Sequence, residues 1–169
     1  MNVIDKYKKL SKEEIKKDLD SKRNPFSVLI CNLNYCNNVG SILRSANIFN
    51  AEQVIIFGRR KYNRKAALGA YHYVNLRLTN SYEYLMNEIV KSRPLIACEN
   101  NIMGSKPLVG YQWRPHSIIA FGSESQGLPA DILYDATDII EVTQYGCTRS
   151  LNVSVAAGII MHECAKALN

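Results

Sequence analysis

Residues 26–57, FSVLICNLNYCNNVGSILRSANIFNAEQVIIF, carry the pattern that decides the fold. The stretch begins with an apolar run at 26–31 and ends with another at 53–57, and both runs have strand character. Between them, from residue 38 to 49, apolar residues recur at helical spacing. A strand, a helix and a second strand in this order indicate an α/β unit with parallel strands.

The rest of the chain continues this alternation. Residues 74–78 predict a third strand, and Ser81 is a candidate N-cap for a helix that reaches Lys91. Further buried strands are predicted at 94–98, 117–121 and 138–142, followed by an apolar-faced helix at 151–168. The predicted fold class is α/β, a largely parallel sheet flanked by helices. Ligand sites on such sheets lie beyond the carboxyl ends of the strands.

Composition indicates an ordinary globular domain. The 169 residues are 47% hydrophobic and 21% charged, which excludes a disordered or fibrous chain. No apolar run approaches the roughly 18 residues that a membrane helix needs, and the N-terminus has no apolar segment typical of a secretory signal. Lys-rich residues 1–24 are interpreted as a basic N-terminal extension, and residues 25–169 as the domain itself.

The cysteines favour a reduced, cytoplasmic protein. There are five, an odd number without a C-x-x-C pair, so neither a disulfide framework nor a zinc site is indicated. Cys31 and Cys36 are the closest pair, and no histidine cluster lies beside them in the sequence. No metal is expected.

Positive charge is concentrated in one stretch. The formal net charge is +6, so an anionic partner is plausible. Five of the eight residues at 58–65 are basic and none is acidic: Arg59, Arg60, Lys61, Arg64 and Lys65. Polyanion binding and a solvated loop both explain such a run.

Three loop segments could carry chemistry, and each also has a simpler structural interpretation. Residues 121–128 contain two glycines five apart, but no Lys-Ser/Thr follows, so the segment is a turn or a ligand loop rather than a P-loop. Asn38 is a candidate N-cap, whereas Arg44 on an apolar helix needs an anionic or carbonyl partner. Ser150 is predicted to cap the last helix, and Asn152 is the less expected residue at that helix start.

Together, the three segments resemble the three motifs of the SpoU/TrmH class of RNA 2′-O-ribose methyltransferases in the SPOUT superfamily. The matching residues, in chain order, are Asn38, Gly40 and Arg44; Gly122, Glu124, Gly127 and Leu128; and Ser150, Leu151, Asn152, Val153 and Ser154. The resemblance runs from about Phe26 to the C-terminus, and its most specific part is Ser-Leu-Asn-Val-Ser. One departure is Thr143, where many relatives have a proline.

The resemblance implies a fold and a cofactor. Members have an α/β domain whose C-terminal part, here about residues 95–169, is threaded into a trefoil knot. They act as homodimers and bind S-adenosyl-L-methionine. By position, the cofactor contacts are expected at Cys98, Gly122, Val142 and Leu151, mostly through backbone groups.

The implied reaction is methyl transfer from this cofactor to a ribose 2′-hydroxyl of RNA. Arg44 matches the catalytic arginine of the family. Because arginine keeps its charge in proteins, we expect it to bind the adjacent phosphate and polarise the 2′-oxygen. Asn38 is expected to orient the ribose or Arg44, and Glu124 to hold the loops or the dimer partner. Ser150 and Asn152 are expected to position the nucleotide and close the cofactor loop.

Transfer RNA is favoured over ribosomal RNA as the substrate. The alternative is a catalytically inactive, knotted RNA-binding protein, against which the complete set of motif residues argues. With RNA expected, the basic run is interpreted as an RNA contact. For Tyr71, His72 and Tyr73, packing is preferred to base stacking and to a catalytic base at His72. For residues 1–24, a solvated helix is preferred to a grip on RNA.

Overall fold

The computed structural model describes residues 3–32, 38–124 and 126–169, which form a parallel sheet covered by helices. Within the described residues the sheet has seven strands in the order β3-β2-β1-β6-β4-β7-β5, and neighbouring strands pair in parallel. The strands are β1 (Asn24–Asn32), β2 (Ala51–Gly58), β3 (Leu76–Thr79), β4 (Leu95–Cys98), β5 (Lys106–Pro107), β6 (Ser117–Phe121) and β7 (Asp138–Glu141). The predicted parallel α/β sheet is confirmed.

Helices lie on both faces of this sheet. They are α1 (Lys12–Asp20), α2 (Val39–Ile48), α3 (Tyr82–Tyr84), which continues as a π-helix (Leu85–Val90), α4 (Ala130–Tyr134) and α5 (Val153–Leu168). Helices α2 and α5 pack together over one face, whereas the π-helix and α4 cover the other. None of the described helices combines the length and apolar character that crossing a bilayer requires.

Burial on both faces explains why the central strands are almost continuously apolar. In β1, Phe26, Val28 and Ile30 belong to the core beneath α2 and α5. The alternate residues, Leu29 and Cys31, belong to the core on the opposite face. Successive strand residues point to opposite sides of a sheet, so a strand covered twice needs apolar residues at every position.

Most of the predicted elements are confirmed to within about two residues. Ser81 accepts a hydrogen bond from the Tyr84 N–H at 3.2 Å and caps its helix as predicted. The sequence analysis missed β5 and α4, which have only two and five residues. Elements this short contain only about one period of a hydrophobic pattern, too little for a repeat to be recognised.

The N-terminal segment is docked on the domain. A capping box between Ser11 and Glu14 starts α1. Ile15 is only 1% exposed and packs in a small cluster with Tyr7 and Tyr73. The expectation of a solvated helix is therefore wrong for this apolar face, and the boundary between residues 24 and 25 stays a prediction.

The side chain of Arg23 fastens this segment to the domain. It is 7% exposed and donates hydrogen bonds to Asn50 Oδ1 at 2.8 Å and to the Tyr73 carbonyl at 2.6 Å. It also pairs with Asp20 at 2.8 Å. Hydrogen bonds that involve a charged donor are stronger than neutral ones, so this buried guanidinium stabilises the junction between α1 and β1.

Candidate functional site

A cavity lies beyond the carboxyl ends of the adjacent strands β6, β4 and β7. Its volume is about 410 Å³, within the range of small-molecule sites. All four residues predicted to contact a cofactor line it: Cys98, Gly122, Val142 and Leu151. Glu124 and Ser150 from the predicted catalytic set also line it, whereas Asn38, Arg44 and Asn152 do not.

Two glycines let the loop after β6 fold tightly against this cavity. Ser123 and Gly127 exchange two backbone hydrogen bonds, of 3.0 and 2.8 Å, which close the loop. A Cβ atom on Gly122 would overlap with the backbone of Gly127 and Leu128. Gly127 itself has a φ of +67°, a conformation that favours glycine. The loop therefore needs glycine at both positions.

Glu99, directly after β4, anchors the same loop, and the sequence analysis missed this role. Its Oε2 accepts a hydrogen bond from the Leu128 N–H at 3.0 Å, and its Oε1 accepts from the Asn100 N–H at 3.3 Å. A Cβ on Gly127 would lie 2.5 Å from Glu99 Oε2. The only signal in the sequence is a carboxylate immediately after a strand that ends at the expected site.

Asn38, Glu124 and Asn152 form one hydrogen-bonded cluster that joins the three motif segments. Asn38 Nδ2 donates to Glu124 Oε2 at 3.0 Å. Asn152 Nδ2 lies 3.4 Å from Glu124 Oε1 and 3.3 Å from Asn38 Oδ1. The carboxylate thus accepts from two amides, which fixes the first turn of α2, the loop after β6 and the start of α5 relative to one another.

Asn152 also caps α5. Its Oδ1 accepts from the Ser154 N–H at 2.9 Å and from the Ser154 hydroxyl at 2.7 Å. The prediction that Ser150 caps this helix is wrong, because α5 begins three residues later, at Val153, and Ser150 is an exposed residue of the cavity wall. Asn38 occupies the cap position of α2 but makes no capping hydrogen bond, and its Oδ1 atom accepts from Asn152 Nδ2 instead.

The charges around the cavity are mostly acidic. Three carboxylates, those of Glu99, Glu124 and Glu141, line it together with one guanidinium, that of Arg149. Burial raises the pKa of the Cys98 thiol well above its ordinary value, so the thiol stays protonated and neutral. Such a cavity suits a ligand with a positive centre. No group of acidic, histidine or cysteine side chains that could hold a metal ion is found among the described residues.

Arg44 lies apart from this cluster. Its side chain is exposed on α2 and lines a different cavity, beside the N-terminal segment. Within the described part of the chain it makes no hydrogen bond or ion pair. The anionic or carbonyl partner that the sequence led us to expect is therefore not among the described residues, and the exposed guanidinium is open to solvent.

The basic residues of the predicted RNA contact are all exposed: Arg59, Arg60, Lys61, Arg64 and Lys65. The Arg64 guanidinium lies 5.6 Å from the centroid of the Tyr71 ring, and that ring contacts His72 at 4.3 Å between centroids. Tyr73 is buried and Tyr71 packs against the core, which confirms packing for these two tyrosines. His72 is exposed.

The structure describes four of the five cysteines. Cys31, Cys98, Cys147 and Cys164 lie within the described ranges and none of them forms a disulfide. Cys36, the other half of the closest pair in the sequence, lies outside the described residues.

Replacing Gly122 with alanine tests the tight loop. We expect Gly122→Ala to lower the free energy of unfolding by about 2 kcal/mol or more, because the added methyl group overlaps with backbone that cannot rotate away. Gly146→Ala is the control, since a Cβ there meets nothing within 4 Å. Urea unfolding measures both, and equal stability of the two variants would contradict the close approach.

Replacing Asn152 separates its cap from its contact with Glu124. Asn152→Ala should lower the free energy of unfolding by about 1–2 kcal/mol, since it removes the cap and both amide donors. Asn152→Asp keeps a capping oxygen but sets a second carboxylate against Glu124, which raises a carboxyl pKa in the folded state. Its deficit should therefore shrink as the pH falls from about 7 to about 4.5. If the loss of unfolding free energy in Asn152→Asp does not depend on pH, the contact between residue 152 and the Glu124 carboxylate is contradicted.

Comparison with known proteins identifies the family of this chain. The model of the SpoU rRNA Methylase family matches residues 25–162. The Bacillus subtilis protein YacO, of the TrmH family, is 26% identical over 156 residues, which are 89% of this chain and 62% of YacO. A tRNA (guanosine(18)-2′-O)-methyltransferase of Borreliella burgdorferi is 23% identical over 154 residues, 89% of this chain and 71% of the relative.

A solved structure gives the same fold. The AdoMet-bound rRNA methyltransferase of Sinorhizobium meliloti superposes with a TM-score of 0.74 at 20% identity, over 89% of this chain and 60% of that chain. The chain thus spans less than two thirds of YacO and of this structure. The family model covers the sheet, the cavity and the three motif segments, and the chain belongs to the SpoU rRNA methylase family.

Proposed function

We propose that this chain is an S-adenosyl-L-methionine-dependent RNA methyltransferase that modifies a ribose 2′-hydroxyl. The observation that carries the proposal is the Asn38–Glu124–Asn152 cluster, which holds the three motif segments of a SpoU-family chain around one cavity. A fixed arrangement of this kind suits a transfer reaction in which the protein mainly aligns the two reactants.

The cavity fits the proposed cofactor. Three carboxylates against one guanidinium favour a ligand with a positive sulfur, and the glycines of the loop after β6 bring backbone groups to its wall. Glu99 and Glu124 are held by hydrogen bonds, so their positions are set before a ligand binds. When bound, S-adenosyl-L-methionine would supply a methyl group that is already activated for transfer. The AdoMet bound to the Sinorhizobium protein, which shares this fold, supports the assignment.

Arg44 is proposed to act on the RNA. Its guanidinium is exposed, carries a fixed positive charge and suits bidentate binding of a phosphate. It can also polarise the 2′-oxygen while that oxygen loses its proton to solvent water. Ser150, exposed at the mouth of the cofactor cavity, is proposed to position the nucleotide.

We propose a homodimer, because Arg44 does not line the cofactor cavity of its own chain. A second copy would bring its arginine to that cavity and complete the site. An apolar stripe supports this: Val155 and Ile159, four residues apart on α5, are 49% and 39% exposed, and Leu151, two residues before the helix, is 39% exposed. Residues at this spacing lie on one side of a helix, and a contiguous exposed apolar surface is typical of an interface.

Transfer RNA is the proposed substrate, ahead of ribosomal RNA. The exposed basic run at residues 59–65 would bind phosphates of either RNA. The name of the Borreliella relative, which matches 89% of this chain, favours tRNA. A cytoplasmic location also remains a proposal.

The knot is proposed on the order of the strands. The chain leaves β4, forms the edge strand β5, returns to place β6 between β1 and β4, and then places β7 between β4 and β5. The loops after β4, β6 and β7 meet at the cavity. Threading within residues 95–169 accounts for this crossing of the loops, and it would make residues 25–169 the methyltransferase domain.

Methyl transfer from labelled S-adenosyl-L-methionine to separated, unmodified tRNA and rRNA pools tests the function. We expect a labelled 2′-O-methyl nucleoside from the tRNA pool. Arg44→Ala should keep the fold and cofactor binding, but should lower turnover by about two orders of magnitude or more, as for a lost transition-state contact. Label on a base, or Arg44→Ala with full turnover, would contradict the mechanism. Cofactor binding without transfer to either pool would support an inactive RNA-binding protein.

Disrupting the apolar stripe tests the dimer. Val155→Asp should yield monomers that still bind the cofactor but transfer no methyl group, because a buried charge opposes association. Val109→Asp is the matched control, since Val109 is 85% exposed and lies outside the stripe. Sedimentation equilibrium reports the mass of each variant. A Val155→Asp variant that is both monomeric and active would contradict a site shared between subunits.

A further inference from the structure

A second cavity lies between the N-terminal segment and the C-terminal half of α2. Its volume is about 610 Å³, and its walls are mostly apolar or aromatic. Its lining includes Tyr7, Ile15, Ile48, Leu68 and Tyr73. Ile48 and Leu68 are 65% and 51% exposed, so the cavity is open where these two side chains stand.

Three cationic side chains line this cavity and no carboxylate does: Lys6, Lys22 and Arg44. Lys6 and Lys22 share one partner, Asp18, at 3.2 and 2.6 Å. Arg44 makes no ion pair or hydrogen bond with the described residues. The cavity therefore has a positive rim with one uncompensated guanidinium, which favours an anionic occupant.

Asn47, one turn beyond Arg44 on α2, also lines the cavity. Its Nδ2 atom is shielded from solvent and has no hydrogen-bond partner in the described structure. Nearby amides differ, since Asn50 Nδ2 donates to the Lys22 carbonyl at 2.8 Å. A buried donor without an acceptor is costly, and it needs an explanation. An occupant that carries an acceptor would supply the missing partner once a rotation of the Asn47 side chain brings Nδ2 to the cavity surface.

We propose that this cavity binds one nucleotide of the RNA substrate, and the proposal rests on the proposed function. The base would lie against the apolar and aromatic walls, where Asn47 donates to a ring nitrogen or a carbonyl oxygen. The phosphate of that nucleotide would lie at Arg44. A flat apolar group that carries both a hydrogen-bond acceptor and a negative charge is the chemistry of an unpaired nucleotide.

Helix α2 carries both polar groups of this proposal, since Asn47 follows Arg44 by three residues, about 4.5 Å along the axis. In the proposed dimer Arg44 acts at the cofactor cavity of the partner subunit, so a nucleotide bound beside Asn47 would flank the one that is methylated there. Asn47 is a specificity residue in this proposal, and it reads a nucleotide that flanks the methylated one.

Titration of the full-length protein with the four nucleoside 5′-monophosphates tests binding directly. Saturating S-adenosyl-L-methionine is present to block the cofactor cavity. We expect the methyl NMR signals of Ile48 and Leu68 to shift with at least one nucleotide, while that of Ile140, in the cofactor cavity, stays in place. Ile48→Ala, which truncates an exposed part of the wall, should weaken the same binding.

Asn47→Leu gives a second, independent readout. It removes the unpartnered donor and keeps a similar volume, so we expect a higher melting temperature. In the methyl-transfer assay, KM for the RNA pool should rise by about 3- to 10-fold, the size of one lost hydrogen bond. Turnover and cofactor affinity should remain unchanged. Asn87→Leu, at an exposed amide outside the cavity, is the control and should leave KM unchanged.

The outcomes separate this proposal from the function on which it rests. The proposal would be overturned if no nucleotide shifts the methyl signals of Ile48 and Leu68. It would also be overturned if these signals shift only with protein concentration, because a second copy of the chain would then cover the cavity. An unchanged KM in Asn47→Leu would also overturn it. Nucleotide binding here by a wild-type protein that methylates no RNA would support the site and reject the proposed function.

Discussion

The candidate site depends on the hydrogen bonds that the carboxylate of Glu124 accepts. It accepts hydrogen bonds from residues 86 positions earlier and 28 positions later in the chain. Each amide donor belongs to a different helix start, so one side chain sets the relative positions of α2, α5 and the loop after β6. Parallel strands bring these segments to one edge of the sheet, but strand pairing does not fix the distances between the segments to within a hydrogen-bond length. The hydrogen bonds of the Asn38–Glu124–Asn152 cluster fix those distances.

The glycine contacts at this edge impose a further constraint. The loop after β6 passes so close to itself that Gly122 cannot carry a side chain, and Glu99 occupies the space that a side chain on Gly127 would need. Backbone groups are thereby brought to the cavity wall, where few side chains are required. This explains why a ligand site can be built from loops whose composition looks unremarkable outside the three motifs.

The central strands could be predicted well from the sequence because burial on both faces makes most of their residues apolar. In β1 and β6 both faces are covered, so most residues of both runs are apolar, and their ends are abrupt. The motif segments were recognised by residue type and order. The contacts of Glu99 could not be predicted, since its partner Leu128 lies 29 residues away and the contact uses a backbone N–H. Ser150 was assigned as a cap because serine is a common cap, but α5 begins at Val153 and is capped by Asn152, which also binds Glu124.

The N-terminal segment shows how composition misleads where few residues are buried. Its lysines predict a solvated helix, and most of α1 is indeed exposed. Yet Ile15 and the Arg23 guanidinium suffice to dock it, because each meets partners on the domain that the local sequence does not reveal. Docking creates the second cavity, whose wall combines Tyr7 from this segment with Arg44 and Asn47 from α2. The polar amides at the Glu124 cluster are satisfied within the chain, whereas Asn47 Nδ2 has no partner among the described residues. The two ends of α2 therefore differ. The polar groups at its N-terminal end are hydrogen-bonded within the chain, whereas its C-terminal end has a donor that a ligand could satisfy.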